Sequence, residues 1–229
     1  MAKKKYNLNP IETYEHPRSV LSEKFRGIRT NITFSTAEGN INSLVVTAER
    51  PDAGKSTITS NTAITYAQSG MKTLIIDGDM RKPTQHYLFQ EQNLRGLSTA
   101  IVEDNPVEDY IISTRVNNLD LLAAGPIPPN PSELIASARF EELFEKLKSQ
   151  YDMVIIDTPP VLTVTDAQLF SKLAKNTLLI VDASQNNRNE VIRAKELIEK
   201  SGAKILGVIL NKAILDKSTS SYYYYYGEK

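Results

Sequence analysis

The sequence predicts an α/β fold, a doubly wound and mostly parallel sheet with helices on both faces. Two patterns lead to it. Short, nearly continuous apolar runs alternate with helical stretches, as strands buried on both faces and their crossover helices do. A turn, Gly54-Lys55-Ser56-Thr57, then lies between the first apolar run and the first long helix of that alternation. Ligands on such sheets sit at the carboxyl ends of the strands, which is where this turn falls.

Taken in order, the predicted strands are residues 44–46, 73–76, 153–156, 178–181 and 205–210, with 119–122 as a sixth candidate. Helices are predicted over 55–69, 132–150 and 190–201. Gly70 and Gly202 follow two of them and supply a left-handed cap. Pro131 opens the third, where a missing N–H is tolerated, and a break is expected near Ser137. Residues 1–40 form an N-terminal arm with a predicted helix over 19–34, residues 41–212 form the ligand-binding domain, and residues 213–229 form a flexible tail. The tail carries Tyr222-Tyr223-Tyr224-Tyr225-Tyr226, without other apolar residues to anchor them in a core.

At 229 residues the chain can bury one sizeable core. Lysine plus arginine and aspartate plus glutamate each number 27, so the formal charge is zero. Binding a phosphate backbone needs clustered positive charge, so nucleic acid is not an expected partner. Cysteine is absent, which removes disulfides and thiolate metal sites and fits a reducing compartment. No apolar run approaches the ~18 residues of a membrane span. The start, Met1-Ala2-Lys3-Lys4-Lys5, lacks the apolar segment of a signal peptide. The two histidines, His16 and His86, are too far apart in sequence to suggest a metal pair.

Three segments carry chemistry. The first is Ala48-Glu49-Arg50-Pro51-Asp52-Ala53-Gly54-Lys55-Ser56-Thr57, a phosphate loop between a strand and a helix. Backbone N–H groups at the helix start hold phosphate oxygens, Lys55 reaches the β- and γ-phosphates, and the Ser56 hydroxyl ligates magnesium. The full pattern wants glycine where Glu49 stands, and a carboxylate at Asp52 should repel phosphates unless it points outward. The second is Asp77-Gly78-Asp79 at the end of an apolar strand. Its carboxylates can hold magnesium or its waters and accept a proton from an attacking hydroxyl, and the sequence leaves open whether Asp77 or Asp79 is that base. The third is Asp157, which ends another apolar strand and anchors magnesium through water. Asn211 and Lys212, after the last strand, are candidates to border an adenine base.

Together these motifs resemble the bacterial tyrosine kinases of capsule and exopolysaccharide synthesis, the BY-kinases, and in particular their cytoplasmic CapB-type members. The resemblance covers nearly the whole chain. It includes Glu23-Lys24-Phe25-Arg26-Gly27-Ile28-Arg29, which fits that family's Glu-x-x-Arg-x-x-Arg oligomerisation motif, the aspartate-rich stretch at 77–83, Gly125-Pro126-Ile127-Pro128-Pro129-Asn130-Pro131, and the tyrosine cluster. At Asp52 the chain departs from the family, where glycine is usual. The resemblance implies a P-loop NTPase core of MinD/ParA type that uses ATP, yields ADP and requires Mg2+. It implies autophosphorylation of Tyr222, Tyr223, Tyr224, Tyr225 and Tyr226 between subunits of a ring joined through Glu23, Arg26 and Arg29. It implies a membrane-embedded adaptor that activates the kinase at the cytoplasmic face of the membrane, with polysaccharide-synthesis enzymes as candidate substrates. Two other readings use the same motifs: a MinD/ParA-type ATPase switch, and a catalytically weak interaction module.

Overall fold

The computed structural model describes residues 11–35, 41–185 and 187–213, so the tyrosine cluster and the first ten residues lie outside the described residues. Two helices lead, α1 (Glu12–Glu15) and α2 (Val20–Phe34). The alternation follows with β1 (Ser43–Ala48), α3 (Lys55–Gln68), β2 (Thr73–Asp77), α4 (Gln85–Phe89) and α5 (Leu97–Val102). Next come β3 (Ile111–Ser113), β4 (Leu119–Leu122), α6 (Pro131–Ile135), α7 (Ala138–Gln150) and β5 (Met153–Asp157). The last elements are α8 (Asp166–Ala174), β6 (Asn176–Asp182), α9 (Arg188–Lys200) and β7 (Lys204–Asn211).

The strands form one sheet in the order β3-β4-β2-β5-β1-β6-β7, parallel throughout except for the β3–β4 pair. Strand residues alternate between two faces. Leu44, Val46, Ile75 and Ile155 pack with Phe25 and Ile32 of α2 and Ile58 and Ile64 of α3. Val45, Leu74, Ile76, Val154 and Ile156 pack on the other face with Phe140 and Phe144 of α7 and Phe170 of α8. The six predicted strands are present. The predicted helix over 132–150 is two helices, because the Ser137 side chain accepts from Phe140 N–H and starts α7 afresh. Ser19 caps α2 in the same way, accepting from Ser22 N–H. Gly70 and Gly202 have φ of +90° and +81°, the left-handed geometry that ends α3 and α9. No helix among the described residues is long and apolar enough to cross a membrane.

The parallel register brings β1, β2 and β5 to a common carboxyl edge. Asp77 of β2 stands directly opposite Asp157 of β5, and Val46 of β1 is also registered with Asp157. Two aspartates 80 positions apart thus become neighbours.

Candidate nucleotide-binding site

The loop from Glu49 to Gly54 turns β1 into α3 through two left-handed residues, Asp52 at φ +59° and Gly54 at φ +96°. A side chain at Gly54 is excluded twice, by that φ and because a Cβ there would run into Asn211 Nδ2. Asp52 is exposed, as its charge demands if phosphates are to bind nearby. The two carbonyls of this turn are tied down from outside. Asn211 Nδ2 donates to the Ala53 carbonyl at 2.8 Å, and Lys212 Nζ donates to the Asp52 carbonyl at 2.6 Å and to Asp182 Oδ2 at 2.8 Å. The residues expected beside a base therefore also brace the loop. Glu49 is buried and accepts from the Asp182 N–H at 3.0 Å, which gives the non-glycine residue at that position a structural task. The first-turn amides of α3 have no intrahelical acceptor, as at any helix start, so the loop presents N–H donors to an anion.

Lys55 is buried beside the aspartates, and its charge favours the ionised forms of Asp79 and Asp157. Asp77 and Asp157 are fully buried. Desolvation pushes the Asp77 carboxyl well above the usual carboxylate range, and the negative charge of Asp157 pushes it further. Asp157 is raised by burial too, but Lys55 and hydrogen bonds from Ser56, Gln85 and Thr59 hold it back. Asp77 Oδ2 accepts from the N–H groups of Thr84 (3.0 Å) and Gln85 (2.9 Å), whereas its Oδ1 has no partner among the described residues. Asp79 lies in the following turn, half-buried, with Oδ1 accepting from Lys82 N–H at 3.0 Å and its carboxyl raised by burial. Gly78 is required between them, since a Cβ would meet the Asp157 carbonyl at 2.8 Å.

Paired buried carboxylates with an orphan oxygen are costly unless a cation joins them. A divalent ion reverses that cost. Ser56, Asp77 and Asp157 are the residues that would hold Mg2+. The donor set fits the ion.

Two groups escaped the sequence reading. Gln85, the first residue of α4, is fully buried and its side chain reaches Asp157, Ser56 and Ser60. Arg81 makes a two-bond pair with the buried Asp166 at 2.9 and 3.1 Å, and Ser132 Oγ donates to the same carboxylate at 2.6 Å. That knot joins the aspartate-rich turn to the starts of α6 and α8. Arg81 had a local signal, an arginine two residues after Asp79 of the Asp77-Gly78-Asp79 turn, but its partner is 85 positions away. Of the residues expected to join subunits, Arg26 pairs with Glu23 and donates to the Pro17 carbonyl, while Arg29 donates to the Thr65 carbonyl of α3.

A phosphate loop that opens a helix, with two strand-end aspartates registered behind it, defines a nucleotide-binding protein of the P-loop class. The profile of the AAA domain family matches residues 43–190. Over 228 residues the chain is 56% identical to the Staphylococcus aureus protein named "Putative tyrosine-protein kinase CapB", covering 100% of both. It is 40% identical over 213 residues to tyrosine-protein kinase YwqD of Bacillus subtilis, covering 93% of this chain and 89% of that one. The crystal structure of the chimerical protein CapA2B2 superposes with a TM-score of 0.86 at 55% identity, covering 90% of each chain. The chain belongs to the bacterial tyrosine-kinase family.

Asp52→Gly is expected to tighten ADP binding several-fold. It removes a negative charge on the phosphate loop and relieves a left-handed non-glycine residue, whose strain is worth about 1 kcal/mol. Titration calorimetry with Mg-ADP checks this, and equal or weaker affinity would show that the Asp52 carboxylate serves binding.

Proposed function

We propose that the protein is an ATP- and Mg2+-dependent protein-tyrosine kinase that phosphorylates the tyrosines at 222–226 of neighbouring copies in a ring. In this reading it works at the cytoplasmic face of the membrane under an adaptor embedded there, and regulates synthesis and export of capsular polysaccharide. The observation that carries the chemistry is the buried, registered pair Asp77 and Asp157 set against Lys55 and the start of α3. The names of the relatives support tyrosine as the acceptor, and the resemblance of the motifs supports capsule as the setting.

Phosphoryl transfer asks little of the protein beyond positioning and charge stabilisation. Lys55 and the first-turn amides hold the phosphate oxygens. Mg2+, when bound, would supply positive charge that neutralises charge developing on the transferred phosphoryl group. Ser56, Asp77 and Asp157 fix its position. Asp79 is reachable from solvent and raised by burial toward a useful basicity, so it is better placed than Asp77 to take the tyrosine proton. The phenolic oxygen bonds to the γ-phosphorus, the bond to the β,γ-bridging oxygen breaks, and ADP leaves.

The tail follows β7, whose carboxyl end lies at the phosphate loop. Tyr222 lies eleven positions after Asn211, and such a stretch spans at most about 40 Å. That length permits the chain's own site as well as a neighbour's, and transfer to a neighbour is what the family resemblance implies. The test mixes Lys55→Met protein carrying an intact tail with active protein whose five tail tyrosines are phenylalanine, in the presence of γ-labelled ATP. Label on the Lys55→Met tail supports transfer between copies. An unlabelled tail in mixtures that co-assemble refutes it, and label released only as free phosphate favours the ATPase-switch reading.

Replacing Glu23, Arg26 and Arg29 together by alanine is expected to give monomers. Light scattering under conditions where the wild type assembles decides it, since an unchanged mass removes these residues from the interface. Arg29 also holds α2 to α3 through Thr65, so circular dichroism must confirm that the variant is folded.

A further inference from the structure

The Gln85 side chain, which is neutral, touches both halves of the proposed magnesium position. Its Nε2 donates to Asp157 Oδ2 at 2.8 Å and to the Ser56 carbonyl at 3.2 Å. Its Oε1 accepts from Ser60 Oγ at 2.7 Å. The orientation of the amide follows from chemistry, because Nε2 faces two acceptors and Oε1 faces a hydroxyl. The backbone N–H of the same residue donates to Asp77 Oδ2 at 2.9 Å. One fully buried residue therefore contacts the phosphate-loop helix, the end of β5 and the end of β2.

These four bonds have different fates when the side chain changes. The bond to Asp77 is a backbone bond and survives any substitution that folds. The bonds to Asp157 and Ser56 belong to the side chain alone. Asp157 is also bonded by the side chains of Ser56 and Thr59, both on α3, the Thr59 Oγ1 contact lying at 3.5 Å, the limit of a hydrogen bond. Without the amide, Asp157 Oδ2 loses its 2.8 Å bond and is left to the Ser56 and Thr59 hydroxyls, and the Ser56 carbonyl loses its link to the carboxylate. A metal held by both Ser56 and Asp157 needs them at a fixed separation, because Mg2+ tolerates little departure from octahedral geometry.

We propose that Gln85 is a positioning residue that locks Asp157 to the phosphate-loop helix at the spacing Mg2+ requires, so that metal and nucleotide bind as a coupled pair. The inference rests on the nucleotide-kinase reading. Its specific consequence is a linkage: in the wild type Mg2+ tightens ADP binding, and the size of that tightening depends on the Gln85 amide.

The experiment measures ADP affinity by titration calorimetry with Mg2+ and with EDTA, on wild type, Gln85→Met and Ser60→Ala. Methionine conserves volume and removes both the donor and the acceptor. Ser60→Ala keeps the amide and removes only the hydroxyl that orients it. The expected result for Gln85→Met is a Mg2+ effect reduced at least tenfold, with EDTA affinity within about twofold of wild type. For Ser60→Ala the same loss is expected at about threefold. A purely structural role would weaken both conditions alike, and such a parallel loss overturns the proposal. So does a Gln85→Met protein that keeps the full Mg2+ effect. If Gln85→Met does not fold, Ser60→Ala decides alone, with an unchanged Mg2+ effect counting against the proposal. A folded wild type that binds no ADP in either condition would instead refute the nucleotide-kinase reading.

Discussion

Lys55→Met is expected to reduce tyrosine phosphorylation by at least about 100-fold while the protein stays folded. Removing one preorganised charge from a transition state in a water-poor site costs roughly 10²–10³ in rate. Lys55 sits at the start of α3, buried beside Asp79 and Asp157, and methionine keeps the length of its stem against the same walls. The loss therefore falls on charge, not packing. It also leaves Asp157 without its strongest compensation, so the Asp157 carboxyl should rise further and hold metal less well. The measurement is incorporation of labelled γ-phosphate, with circular dichroism as the control for fold. Wild-type labelling by a folded Lys55→Met protein would end the phosphate-loop mechanism.

Much of this arrangement was legible in the sequence because its signals are local. An apolar run that ends in aspartate states both the strand and the edge at which the carboxylate emerges, and it does so at Asp77 and at Asp157. Gly70, Gly202 and Ser19 mark helix ends by the torsions or caps they supply. Antiparallel β3 was not legible: Ile111 and Ile112 give only two apolar residues, and the strand exists because β4 offers an edge. Helices α4 and α5, of five and six residues, are too short to show an amphipathic pattern, whereas α8 does bury one face, at Ala167, Phe170 and Ala174, that escaped the sequence reading. Gln85 carries no local mark at all. It lies between Thr84 and His86 in a polar stretch, and its partners at 56, 60 and 157 meet only after the sheet has assembled. Asn211 and Lys212 gave a different lesson. Their place at the end of β7 pointed to the ligand, and the fold uses them to restrain the carbonyls of the loop that holds it.

Asp77→Asn is expected to abolish kinase activity and at the same time to stabilise the metal-free protein. Asp77 is buried beside Asp157 with Oδ1 unpartnered among the described residues, so its ionised form is opposed by desolvation and by a like charge. Asparagine keeps the acceptor for the Thr84 and Gln85 amides and removes the charge. It does leave a buried N–H₂ near the position of Oδ1, a cost of about 1–3 kcal/mol if unpaired. An uncompensated buried charge costs more. The pH dependence identifies the cause. The folded-state pKa of Asp77 lies above its unfolded value, so between the two the folded protein binds more protons than the unfolded one. Its contribution to stability is complete below the ordinary carboxylate range and declines as pH climbs from there through the raised pKa. Asp79 and Asp157 are shifted in the same direction and add to the decline. The melting temperature of Asp77→Asn should therefore exceed that of the wild type by an amount that grows with pH from about 4 upward. Each kcal/mol of relief corresponds to about 2–4 °C in a chain of this size. Mg-ADP should raise the wild-type melting temperature by neutralising the pair, and should raise that of Asp77→Asn far less. Thermal melts from pH 4 to 8 in EDTA and in Mg-ADP read both effects. A wild type more stable than Asp77→Asn at pH 8 in EDTA would show that the carboxylate is already compensated within the protein, and that the strand-end pair is not held in wait for a cation.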